Sequence, residues 1–218
     1  MSAASLDAAK GGAPRSRKGA ATRARLVDAA KAVFEQVGFL DARVSDIAEQ
    51  AGLSHGSFYH YFDSKEQVFR EVAQAINDEL SAGMALVLDR ESTATPQERL
   101  RAALRLHFEA YRDEAKMMGV IEQVSRHDDE VRQMRQEHRA RHGELVAASI
   151  EQLQRRGMAD PTIDAHLASV AVGAMTWQFA EQWLIHGVPD VDFDSGVEQF
   201  TKVFVNALQL RDRPASPS

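Results

Sequence analysis

Apolar residues recur along this chain at intervals of three and four rather than two, and Gly or Pro interrupts the pattern between long periodic stretches. The spacing predicts an all-α protein of about nine helices. From Thr22 onward Leu26, Ala30, Val33, Phe34 and Val37 share one helical face, and Gly38 stands where a C-terminal cap belongs. A second helix opens near Val44, turns Ile47, Ala48 and Ala51 inward and stops at Gly52; Ser54 then caps a third, very short one running to Tyr61. Asp63 followed by Glu66 predicts the start of a fourth, continuing to about Leu88. Thr95-Pro96-Gln97-Glu98 joins a capping Thr, a first-turn Pro and a Glu three residues after the cap, and opens a helix with Leu100, Leu104, Phe108 and Tyr111 on one stripe. A break near Gly119 and at 126–129 separates a short helix from a long one, Asp129 to Arg156, ended by Gly157. The last two are expected from Asp160-Pro161 to His186 and from Asp192 to Leu210.

Composition narrows the class. Hydrophobic residues make up 44% of the chain and charged residues 27%, which fits a globular protein and not a disordered or fibrous one. There is no Cys, so disulfides, thiolate zinc sites, iron–sulfur clusters and cysteine nucleophiles are excluded. The first 19 residues are rich in Ala, Ser, Gly and basic side chains, without the apolar core of a leader, and no 18 uncharged apolar residues run together. The expected location is the cytoplasm, with no membrane partner.

The net charge of -6 is unevenly spread: residues 1–70 carry +2 and the remainder -8. Near the start, Lys10, Arg15, Arg17, Lys18, Arg23 and Arg25 face only Asp7. An acidic body with a basic front end fits a polyanion met at the front; a tail that merely solubilises the chain fits the same composition. The organisation expected is a disordered basic arm over 1–20, a head over 21–66, a helical body over 67–212 and a disordered tail over 213–218.

From Val44 to Phe62 the sequence reads VSDIAEQAGLSHGSFYHYF. Physically this is two short helices joined by a tight Gly-containing turn, with Ile47, Ala48, Ala51, Leu53, Phe58 and Phe62 free to pack on the first helix. Outward lie Ser54, His55, Gly56, Ser57, Tyr59 and His60, short polar or aromatic groups instead of the Glu and Lys of a solvated face. The stretch resembles the TetR-type bacterial transcriptional regulators. Gly38-Phe39, Val44, Ile47-Ala48, Ala51-Gly52, Ser54, Gly56, Phe58-Tyr59, Tyr61-Phe62 and Ser64-Lys65-Glu66 match that signature at fixed spacing.

The resemblance implies a three-helix DNA-binding head on a larger body that binds a small molecule and forms a homodimer. It assigns base-edge reading to His55 and Ser57 and phosphate or groove contact to Tyr59, His60 and Lys65, with Ser54 and Gly56 in the same surface. Lys65, near the start of a helix, suits a phosphate. Arg43 departs from the family, which carries a capping Ser or Thr there. Ser45 then caps one turn later or the helix start stays uncapped, and Arg43 grips phosphate or lies in solvent. The partner is a double-stranded DNA operator with half-sites about 34 Å apart.

In the body, polar residues that break apolar stripes mark a pocket for a hydrophobic small-molecule effector. The candidates are His107, Phe108, Tyr111, Met118, Met134, His138, His142, Met175, Trp177, Gln178 and Glu181. Phe179, Trp183, Val197, Phe200 and Phe204 are the candidate dimer interface. His138 and His142 could face one metal ion, but Arg139 stands where a metalloprotease has Glu, and Arg135 and Arg141 would repel a cation, so no metal and no cofactor is expected. Two other readings are an effector-independent dimeric DNA binder and an enzyme using His107, His138, His142 and Glu181. The latter lacks any nucleophile elbow, P-loop or dinucleotide fingerprint.

Overall fold

Helix α1, Arg17–Asp41, starts five residues before Thr22 and is interrupted at Gly38, whose φ of 77° ends the regular ladder where the sequence placed a cap. The computed structural model describes residues 17–89 and 91–212. Among these it contains ten α-helices and no strand. The expected disorder of 1–20 therefore fails for 17–20, which are helical; 1–16, including Arg15, and the tail 213–218 lie outside the described residues.

The chain divides into two compact units. The first comprises residues up to Ala75 together with Val120–His127. Here α2, Val44–Gln50, and α3, His55–Phe58, join the first part of α4, Lys65–Leu80. Leu26, Phe34, Ile47, Phe58, Phe62, Val68 and Phe69 are fully buried, and Phe34 and Phe69 meet edge to face at 5.2 Å. Val37, expected on the same stripe of α1, is exposed, because it lies in the last turn before the break at Gly38. Arg23 closes this core: its guanidinium donates to the Tyr61 carbonyl at 2.5 Å, pairs with the Glu71 carboxylate and lies 4.1 Å over the Phe62 ring. It is thus a structural residue of α1.

The second unit comprises Ile76–Gly119 and the residues from Asp128 onward. The fourth helix does not reach Leu88. It ends at Leu80, and a separate short helix α5, Met84–Leu88, follows. Between them Gly83 lets the chain lie against α6: a Cβ there would stand 2.6 Å from the Ala103 carbonyl oxygen. Helix α6, Pro96–Asp113, carries the reciprocal Thr95–Glu98 capping box. Helix α7, Ala115–Ser125, runs unbroken through Gly119, where a break is expected; the break at 126–128 and α8, Asp129–Arg155, follow the expected pattern.

Helix α9, Ala165–Ala180, begins at Asp164 rather than at Asp160. The Asp160 carboxylate is taken by the Thr162 N–H and hydroxyl, making a turn instead of a cap. A π-helical turn over Glu181–Ile185 extends α9, and α10, Phe193–Ala207, is capped by Asp192.

Candidate functional site

In the first unit, α3 rests on Ser54, whose hydroxyl accepts the Ser57 N–H at 3.2 Å. The Ser54 and Ser57 hydroxyls are themselves paired at 2.7 Å. Ser54 therefore serves as a helix cap, and Ser57 must exchange a bond to read a base. With Phe58 and Phe62 buried beneath, His55, Gly56, Tyr59 and His60 are exposed on one surface. The His55 and Tyr59 rings touch edge to face at 5.3 Å. A Cβ on Gly56 would meet no atom within 4 Å, so the outer face of α3 is bare backbone there. Exposed imidazole, hydroxyl and phenol groups around a smooth helix can hydrogen-bond base edges and phosphates at close approach.

Arg43 and Ser45 are exposed at the start of α2. The helix has no side-chain cap, and Ser45 donates to the Asp46 carboxylate at 3.1 Å instead. Lys65 departs from its expected role. Its ammonium donates to the carbonyls of Phe39 at 2.7 Å, Leu40 at 3.3 Å and Ala42 at 2.9 Å, and lies 4.5 Å over the Phe39 ring. All three ammonium hydrogens are thus used. Lys65 clamps the end of α1, so its assignment to phosphate is corrected.

In the second unit an apolar cavity of about 120 Å³ lies among α5, α6, α8, α9 and α10, with Leu80, the last residue of α4, in its wall. Leu100, Leu104, Val146, Ile150, Val172 and Phe204 supply much of its surface, and Arg99, His107, His142, Ser149 and Thr176 its polar points. Of the eleven pocket candidates only His107, His142 and Trp177 line it.

His107 is buried; its Nδ1 lies 3.0 Å from the Leu80 carbonyl and its ring 5.3 Å from Trp177. Burial pushes its pKa down to about 4 against a weaker opposing pull from the Leu80 carbonyl, with nearby His142 lowering it further. Burial likewise lowers the pKa of His142 and His138. His138 is outside the cavity wall, its Nε2 paired with the Ser81 hydroxyl at 3.0 Å.

The other pocket candidates are placed elsewhere. Phe108 is fully buried in an aromatic cluster with Phe179, Trp183 and Phe200. Tyr111 and Met118 are core, Met134 is half-buried outside the cavity wall, and Glu181 lies 3.9 Å from His186 in the π-turn. Met175 and Gln178 line a separate, open apolar groove with Phe179, Phe200 and Val203. Sequence reasoning missed Arg99 and Thr176: Arg99 reads as an ordinary helical surface cation, and Thr176 returns its hydroxyl to the Val172 carbonyl at 2.8 Å.

The dimer candidates need a similar correction. Trp183, Val197, Phe200 and Phe204 are buried within the chain itself. Trp183 donates Nε1–H to the Val191 carbonyl at 3.2 Å and occupies the space a side chain on Gly196 would need, 2.2 Å from its would-be Cβ. Phe179, half-buried, stacks on Phe200 at 4.5 Å. The apolar residues left uncovered on these helices are others: Leu167 at 71% exposure, Val170 at 68% and Val203 at 49%, with Ala171 and Ala174 beside them on α9.

Residues 26–72 match the family model described as bacterial regulatory proteins, tetR family. Residues 100–209 match that of the transcriptional regulator EthR, C-terminal domain. The chain is 30% identical over 177 residues to the HTH-type transcriptional repressor KstR2 of Mycobacterium tuberculosis, covering 77% of this chain and 83% of that protein. It is 27% identical over 197 residues to the HTH-type transcriptional regulator TtgR of Pseudomonas putida, covering 87% and 92%. Among solved structures, SmeT, the repressor of a Stenotrophomonas maltophilia multidrug efflux pump, shares the fold with a TM-score of 0.68 at 18% identity over 90% of this chain and 94% of that one.

Proposed function

The chain belongs to the TetR family of bacterial regulatory proteins, and from that premise we propose that it is a dimeric repressor released from a palindromic operator when an apolar small molecule fills the body cavity. Members of this family regulate transcription, bind DNA and dimerise. The observation that carries the finer reading is the apolar cavity itself, with few polar points and the last residue of α4 in its wall. At its other end α4 begins with Lys65, which holds the end of α1. One continuous helix therefore has a terminus that a ligand would touch and a terminus that braces the DNA-binding helices. A ligand that fits one placement of α4 better than another shifts that equilibrium and lowers operator affinity by its differential binding free energy.

His55, Gly56, Ser57, Tyr59, His60 and Arg43 are the residues proposed to meet DNA. His and Ser discriminate bases less than a bidentate Arg or Asn, so phosphate contacts and shape supply much of the affinity. The uncovered stripe of Leu167, Val170, Ala171 and Ala174 supports an interface between two copies.

Selection from a random duplex library at two salt concentrations tests the reading. The expected result is a palindrome bound with affinity that falls steeply in salt, and loss of binding when an apolar ligand is added. Gly173→Leu fills the cavity from α9, where an added Cβ meets no atom; this variant should bind the operator and ignore the ligand. An operator affinity that no apolar ligand alters would favour an effector-independent DNA binder.

A further inference from the structure

Two residues of the cavity wall carry a buried polar atom without a partner in the chain, His107 Nε2 and Arg99 Nε, and the hydrogen-bonding sense of the first can be worked out. Leu80 ends α4, so its carbonyl has no helical partner of its own, and His107 Nδ1 lies 3.0 Å from it. A carbonyl only accepts; Nδ1 therefore carries the hydrogen. In the neutral ring Nε2 is then a bare acceptor. That neutral form is the one burial favours. His107 is 9% exposed, lines the cavity, and its Nε2 is buried without a partner in the chain. A buried acceptor left unmatched is costly, and most are satisfied by protein, water or ligand.

We infer that the effector is an apolar molecule that presents one hydrogen-bond donor, an alcohol or phenol O–H, to His107 Nε2. This rests on the cavity being the effector site. A carboxylate would set acceptor against acceptor and lose its hydration in an apolar chamber. Arg99, the cation of the cavity wall, stands eight residues from His107 on α6, about 12 Å along the axis; one terminal nitrogen donates to the carbonyls of Val87 and Asp89, and its Nε–H is buried without a partner. The His107 pole therefore has a lone pair to offer, and the donor of Arg99 is remote from it along α6.

Calorimetry on the full chain with three probes of similar shape tests this: 4-propylphenol, propylbenzene and 4-propylbenzoate. The phenol is expected to bind about tenfold tighter than either of the others. His107→Asn can keep a donor for the Leu80 carbonyl while deleting Nε2, and should reduce the phenol's margin over propylbenzene to less than about threefold. Gly173→Leu should abolish binding of all three.

Equal affinity of the unaltered chain for phenol and propylbenzene, or tightest binding of the benzoate, overturns the donor inference and leaves the cavity as a ligand site. That comparison needs no variant to fold. Binding that persists unchanged in Gly173→Leu, or no binding of any probe, overturns the cavity reading and this inference with it.

Discussion

The proton equilibrium of His107 ties the stability of the body to pH. Its folded pKa of about 4 lies below the ordinary value of 6.5, so between these limits the unfolded chain binds the proton and the folded one does not. Stability is therefore full above about pH 6.5 and falls as pH drops toward 4, by on the order of 3 kcal/mol for this group alone. His138 and His142, also lowered by burial, act in the same direction. Guanidinium unfolding between pH 7 and 4.5 should show this acid loss, and His107→Asn should make it shallower; an unchanged slope would remove His107 from the acid response. Gly56 permits a second residue-level prediction. Because a side chain there meets nothing in the protein, Gly56→Leu should change stability by no more than about 0.5 kcal/mol while weakening operator binding by about tenfold or more as it holds α3 out of the groove. Thermal unfolding and fluorescence anisotropy separate the two effects.

Among the elements, the short helices are governed by their ends. Ser54 starts α3 as its spacing predicts, because a Ser three residues before a free N–H caps without help from the rest of the fold. Lys65 shows the opposite case: nothing in its local sequence says that 23 to 26 residues away three carbonyls at the end of α1 will converge on its ammonium. Lys65→Met should therefore lower the melting temperature, costing about 1.5–3 kcal/mol for the charged hydrogen bonds lost. The salt dependence of operator affinity should stay unchanged, since no phosphate contact is removed; a slope reduced by about one would return Lys65 to the DNA interface. The division of α4 from α5 was equally illegible locally, whereas the start of α9 follows from a local turn, in which Asp160 gives its carboxylate to Thr162 and leaves Asp164 to cap the helix.

At the scale of the whole molecule, α9 is apolar nearly all round and α10 offers one broad apolar face, and only the packing shows which residues the chain keeps for itself. Phe200, Phe204, Val197 and Trp183 are consumed internally, while Leu167, Val170 and Val203 remain uncovered. Leu167→Glu combined with Val170→Glu should leave the helical content intact and yield a monomer by sedimentation. Operator affinity should fall by about a hundredfold or more as the two half-sites lose their linkage. A dimer that survives both charges would place the interface elsewhere.

The sequence by itself determined the all-α class, nearly every helix and the helix-turn-helix surface around His55, Gly56 and Tyr59, since periodicity, caps and turn glycines act within a few residues. It also marked His107 and His142 as departures from a plain apolar core and Trp177 as an apolar neighbour of the pocket. Tertiary structure alone decided which of the many apolar and polar body residues enclose the cavity, which face of α9 stays open and that Lys65 is a clamp. These outcomes depend on contacts between helices remote in sequence, where one apolar stripe resembles another until its neighbours have taken their places.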